Sequence, residues 1–173
     1  MRSNVLIMSS EKKYDTDFSK EVSSLVKEVA VVYNVGVANK KISYNDFLSN
    51  KMLIVHSIRK GISFSFFNKI RNNSPFTDIE WADFLNISTK SLQRYKNEKR
   101  FVFKPIHSEK IIELAEVTNF GNTVFDTTKD FYSWLDTTSI ALGSMKPLEL
   151  LKNSYGKEMV MEELNRIDQG VFV

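Results

Sequence analysis

Residues 77–97 read TDIEWADFLNISTKSLQRYKN, and this stretch decides the fold. Thr77 followed three residues later by Glu80 forms a capping box, in which the hydroxyl and the carboxylate each take a free amide of a helix's first turn. Trp81, Ala82, Phe84 and Leu85 give that helix its buried side, and Asn86-Ile87-Ser88 closes it with a turn ending on an N-cap residue. A second helix is predicted over residues 89–97, with Leu92 and Tyr95 turned inward. Two short helices across a turn that carries one apolar residue match a helix-turn-helix, with Ala82 at the close approach and Ile87 plugging the corner. Thr89, Lys90, Gln93, Arg94 and Asn97 then face outward near a helix N-terminus, and these side chains reach base edges and phosphates. A purely structural helical pair with a polar outer face has the same pattern, so the stretch alone leaves both readings open. Lys96, Lys99, Arg100 and Lys104 set further cations beside the second helix, where phosphates would run. Phe101 and Phe103 among them are expected to anchor that loop to the core rather than stack on bases.

Outward from this stretch the chain reads as helix on both sides. Val22, Leu25, Val26, Val29 and Val32 fall at helical spacing over residues 17–33. Residues 34–41 connect, with Val35, Val37 and Ile42 also able to alternate as a short strand. Ser43 and Asp46 form a second capping pair, opening a helix through Phe47, Leu48, Met52 and Val55 that Gly61 ends. Ser63 starts a helix with Phe64, Phe67 and Ile70 on one face, closed at Asn72-Asn73-Ser74-Pro75. Pro105 suits the start of the next helix, buried through Ile106, Ile111, Ile112, Leu114, Ala115 and Val117, with Phe120-Gly121 as a candidate break. Thr127 and Asp130 cap a helix carrying Phe131, Trp134 and Leu135. Pro147 opens Leu148-Glu149-Leu150-Leu151, and a last amphipathic helix over residues 156–168 carries Met159, Val160, Leu164 and Ile167. Gly170 stops it. The fold class is all-α.

Charge divides along the chain. Residues 51–110 hold 12 Lys+Arg against 5 Asp+Glu, residues 111–173 hold 5 against 10, and residues 1–50 hold 7 against 6. A basic middle and an acidic end suit two partners, a polyanion and a protein, unless both are only solvated helix faces. The absence of Cys removes thiolate catalysis, disulfides and Cys-ligated zinc, and accords with a reducing compartment. The early apolar run Val5 to Met8 is far too short for a signal core or a membrane span, so a cytoplasmic protein that does not enter membranes is expected. Met8-Ser9-Ser10-Glu11 resembles a start, which makes the first seven residues an extension.

No catalytic constellation emerges. His56 and His107 are the two His of the chain and form no H-x-x-x-H array, and no phosphate-cradling glycine motif is present. The acidic pairs Asp15/Asp17 and Glu162/Glu163 read as tail and helix surface. No metal, cofactor or enzyme activity is expected. The chain closes on Gly170-Val171-Phe172-Val173, and apolar residues beyond a helix stop call for burial. Phe172 either enters a pocket on a partner or folds back over Trp134 and Leu164. Arg166 likewise meets a partner group or pairs with Glu162 or Glu163 on its own helix.

Trp134-Leu135, Ala141-Leu142-Gly143, Lys146-Pro147-Leu148-Glu149-Leu150-Leu151, Gly156 and Asn165-Arg166-Ile167-Asp168-Gln169-Gly170-Val171-Phe172 resemble, in order, the toxin-binding domain of the Xre/MbcA/ParS antitoxins. Gly61-Ile62-Ser63, the Leu85-x-Ile87-Ser88 turn, Leu92, Arg94, Ser108 and Leu114-Ala115 are similar to that family's Xre-like helix-turn-helix half. The sequence departs from the pattern at Ser144-Met145, where a second Gly and a basic residue are common, and at Tyr95, which replaces a frequent cation. The resemblance implies a type II antitoxin whose C-terminal part covers the active site of a RES-domain toxin that destroys NAD. It also implies a homodimer that binds operator DNA. The resemblance covers roughly Met52 to Val173 and makes 51–125 the helix-turn-helix domain and 126–173 a small helical toxin-binding domain; outside it, residues 1–16, polar and without periodicity, are expected to be a disordered tail and 17–50 a helical extension. DNA contacts are assigned to Thr89, Lys90, Gln93, Arg94, Asn97, Lys99 and Arg100, and toxin contacts to Arg166, Gln169, Gly170, Val171, Phe172 and Val173. The competing reading is a transcriptional regulator without a toxin.

Overall fold

The computed structural model describes residues 21–30, 42–98 and 100–170. The expected tail over residues 1–16 and the connector over 34–41 lie outside them. Within them the chain is helical: α1 (residues 21–30), α2 (Tyr44–Ser49), α3 (Lys51–Lys60), α4 (Phe64–Asn73), α5 (Asp78–Phe84), α6 (Thr89–Asn97), α7 (Pro105–Val124), α8 (Thr128–Leu135), α9 (Pro147–Leu150) and α10 (Ser154–Asp168). Extended pairing among the described residues amounts to two antiparallel bridges, Ser63 with Val102 and Ser139 with Met145.

Local chemistry places most helix starts. Ser43 with Asp46 and Thr77 with Glu80 form reciprocal capping boxes, and Ser63, Ser88, Thr127 and Asn153 each accept an amide from the first turn they precede. The helix expected to run from Ser43 to Gly61 is instead two. Asn50 leaves helical geometry at φ −98 and ψ 92 and caps the second piece by accepting the Leu53 amide at 3.1 Å. That break resets the phase: Leu53, Ile54 and Ser57 face the core, while Met52 and Val55 lie exposed.

Helix α7 is the packing axis. It meets α3 and α4 on the helix-turn-helix side and α8 and α10 on the other. Ile111, Ile112, Leu114, Ala115 and Val117 are buried as expected, but Ile106 is exposed in the first turn. The expected break at Phe120-Gly121 does not occur, and the helix continues to Val124. Gly121 serves packing instead: a Cβ there would sit 2.2 Å from the Phe131 ring, which is fully buried against it. Helix α10 starts at Ser154 rather than Gly156, because Asn153 accepts the Gly156 amide at 2.9 Å. Ser154 bonds Glu113 and Lys157 pairs with Glu116, so the two helices advance together and run parallel. Val160 and Leu164 are buried, whereas Met159 is exposed, contrary to its expected place on the inner face.

A helix position and a turn position have opposite expectations for stability. Gly156 presses on the backbone of Leu150, and an added Cβ would stand 2.1 Å from its carbonyl oxygen. Gly156→Ala should therefore lower unfolding free energy by about 2–3 kcal/mol. Ser144 holds φ 60, the left-handed region, with Gly143 before it at φ 69. Ser144→Gly should raise stability by up to about 1 kcal/mol. Urea unfolding of the two variants beside the parent measures both signs.

Candidate functional site

The outward face of α6 is set by what holds its inward face. Asn86 takes φ 51, a conformation Asn tolerates better than most residues, and the bend brings the Ile87 amide to the Ala82 carbonyl at 2.9 Å. Ala82 is buried between the helices, and Ile87 half-fills the corner. Leu92 is buried, and Tyr95 stacks on Phe101 at 3.7 Å between ring centroids. Phe101 packs edge-on against buried Phe103. The loop after α6 is strapped down as well. The Phe64 amide donates to the Phe101 carbonyl at 2.9 Å and the Phe103 amide to the Ile62 carbonyl at 2.8 Å. Buried Ser108 completes the knot, accepting the Ile62 amide and donating to the Phe103 carbonyl.

With Leu92 fixed, Thr89, Lys90, Gln93, Arg94 and Asn97 all emerge exposed on α6, with Lys96 and Arg100 exposed alongside. The structure thus brings the described DNA candidates onto one surface. Lys99 lies outside the described residues. Lys90, Lys96, Arg100 and Lys104 take part in no ion pair among the described residues, so their charge is available to an anion. Tyr95 does not reach outward. Its ring lies 5.4 Å from the Arg94 guanidinium carbon and supports that side chain from beneath. The turn at Asn86 was expected from sequence, but its left-handed backbone and the Ser108 knot were not. The knot's partners stand 46 residues apart in Ile62 and Ser108.

The C-terminal surface lies on α10 and the turn before α9. Gly170 adopts φ 70, so the chain leaves α10 through the left-handed turn expected of it. Gln169 and Gly170 are exposed, and Val171, Phe172 and Val173 lie outside the described residues. Arg166 bonds the Glu163 carboxylate at 2.6 Å, the intrahelical pairing that had been one of its two readings. Residues missed from sequence are Ile140, 90% exposed on the tight turn closed by the Ser139 amide and the Met145 carbonyl, and Tyr155, 83% exposed on α10.

Two polar contacts latch this half to α5. The Tyr132 hydroxyl donates to Glu80 at 2.8 Å, while Glu80 also accepts from the Thr77 amide and hydroxyl, each at 2.7 Å. Lys152 pairs with Asp83 at 2.9 Å. The carboxylate that caps α5 is therefore also the seat of α8. A groove of about 330 Å³ beside Gly61 is lined by Glu21, Ser24, Glu28 and Lys60, with Lys60 paired to Glu28 and its pKa lowered by burial. Among the described residues no group of three or more His, Cys, Asp or Glu is placed to hold a metal ion. No helix there is long and apolar enough to cross a membrane.

Comparison with known families divides the chain at α7. Residues 54–116 match the model of the antitoxin Xre-like helix-turn-helix domain. Residues 121–170 match the model of the antitoxin Xre/MbcA/ParS C-terminal toxin-binding domain. No curated protein matches the chain.

The Tyr132 latch predicts an alkaline signature. The hydrogen bond to Glu80, then burial, then the charges of Glu80 and Asp136 push the phenol up to about 12 from its ordinary value of 10.0. A raised folded-state pKa means stability that is full below the unfolded pKa and is lost as pH rises through the folded one. The parent should lose stability between pH 10 and 12 more steeply than Tyr132→Phe. At neutral pH the variant should be weaker by about 1 kcal/mol for the lost bond. Parallel pH slopes in chemical denaturation would remove the latch.

Proposed function

The chain belongs to the Xre/MbcA/ParS antitoxin family, and from that premise we propose that it neutralises a RES-domain, NAD-degrading toxin by covering the toxin's active site with its C-terminal part. Its middle binds operator DNA and represses its own operon. The protein acts in the cytoplasm as a homodimer, by occupancy and without turnover. Residues 51–125 form the DNA-reading domain and residues 126–173 the toxin-binding domain, with residues 17–50 as a helical extension.

The observation that carries this reading is the order of the two family matches in one chain, a reading head followed by a toxin-binding part. The unpaired cations around α6 support the DNA half, because neutralising phosphates supplies most of the affinity for a duplex. Thr89, Lys90, Gln93, Arg94 and Asn97 are the residues proposed to meet bases or adjoining phosphates, with Lys99 and Arg100 on the backbone. On the toxin side, Arg166, Gln169 and Gly170 bring Val171, Phe172 and Val173 to the toxin's active-site mouth. The choice of a RES-domain toxin rests on the resemblance of the segment running from Trp134 to Phe172 to that of antitoxins with such partners.

Arg94→Ala should reduce preference for the promoter duplex by about 1–3 kcal/mol. Lys99→Ala should weaken binding to any duplex and flatten its salt dependence. Fluorescence anisotropy on promoter and scrambled duplexes separates the two effects, and unchanged promoter affinity in both variants would end the DNA assignment. Deleting residues 169–173 should abolish inhibition of the toxin while DNA affinity and melting temperature stay near the parent's. Full inhibition by the truncated protein would end the active-site plug. Loss of inhibition accompanied by a lowered melting temperature would make Phe172 a lid on its own core.

A further inference from the structure

Tyr155, Met159, Glu162, Arg166 and Gln169 recur at alternating spacings of four and three along α10, which puts them on one strip of the helix. The opposite side is spent on the core, where Gly156, Val160 and Leu164 are buried against α7 and α9. The strip starts with two apolar side chains facing solvent, Tyr155 at 83% and Met159 at 42% exposure. The Tyr155 side chain makes no hydrogen bond or ring contact among the described residues. Single exposed apolar residues need no explanation, but a Tyr and a Met one turn apart form a small apolar face. At its other end the strip runs through Arg166 and Gln169 directly into Gly170, where the chain turns toward its last residues.

Acidic side chains border the face. Glu158 and Glu162 are exposed and take part in no ion pair among the described residues. Their free charge repels another acidic surface and favours a cationic one. Tyr and Met are side chains that interface cores collect, whereas carboxylates belong at the rim.

We propose that the Tyr155 and Met159 face of α10 docks in an apolar groove with a cationic rim on the toxin, away from the toxin's active site, and that this contact supplies affinity while the C-terminal segment supplies occlusion. The proposal rests on the toxin-binding reading given above. Continuity with the C-terminal segment favours the toxin as occupant, because the strip runs along α10 to Arg166 and Gln169, which are themselves proposed toxin contacts. The division of labour also makes a sharp statement: occlusion and affinity are separable by mutation.

The test uses the full chain and a RES-domain toxin of the proposed class, with binding followed by calorimetry and inhibition by NAD consumption. Tyr155→Ala with Met159→Ala should weaken binding roughly 30-fold while saturating variant still inhibits completely. Neither residue is buried, so melting temperature and promoter affinity should match the parent's. The chain lacking residues 169–173 should show the reverse, binding retained and inhibition lost. Unchanged affinity in the double variant overturns the docking face. A double variant that changes oligomeric state in sedimentation, with toxin affinity unchanged, would give the strip to a second copy of the chain and also overturn it. Parent protein that fails to bind the toxin at all would overturn the toxin-binding reading itself.

Discussion

Helix α7 has no free side through its middle. From Lys110 to Asn122 no residue is exposed, so the helix is covered all round and cannot shift without opening both flanking sets of helices. Ile111, Ile112, Leu114 and Val117 are each at most 2% exposed, and each such burial contributes about 1.5–3 kcal/mol. The two family matches end and begin inside this one helix. The helix-turn-helix part and the C-terminal half consequently share a core through α7 rather than a linker.

The same economy positions α6. Gly61 bends the chain after α3 at φ 96, and a Cβ there would meet the Phe103 carbonyl oxygen at 2.5 Å. That close approach lets Ile62 and Phe103 pair and places Ser108 between them. Phe103 then supports Phe101, Phe101 supports Tyr95, and Tyr95 supports Arg94. The exposed face of the reading head thus depends on a chain of contacts that begins at the N-terminus of α7.

Much of this was legible in sequence because it is local. Capping boxes at Ser43 and Thr77 act over three residues, and α6's outward residues follow once Leu92 is placed inward. Most of what escaped was not local, and the Asn50 cap is the exception. Asn50 is compatible with a helix interior until its side chain takes the Leu53 amide, so the phase slip that exposes Met52 and Val55 left no advance sign. Gly121 looked like a breaker because propensity speaks before packing does, and only the Phe131 ring explains it. Tyr132 and Glu80 are separated by 52 residues, and nothing near either marks the bond. The departure at Ser144 is a further case: the position adopts a left-handed conformation that glycine accepts more readily, which accounts physically for a glycine being common there.

On the proposed function the protein is an occluding inhibitor whose effect is set by the amount bound. The most direct measurement titrates the purified chain into a fixed concentration of the proposed RES-domain toxin, well above the dissociation constant, and follows NAD consumption. Occupancy predicts activity falling linearly to zero at a fixed stoichiometric ratio, with no further change on longer incubation. Progressive loss of toxin activity at trace ratios would mean catalytic inactivation and contradict the account, as would activity that persists with the chain in excess.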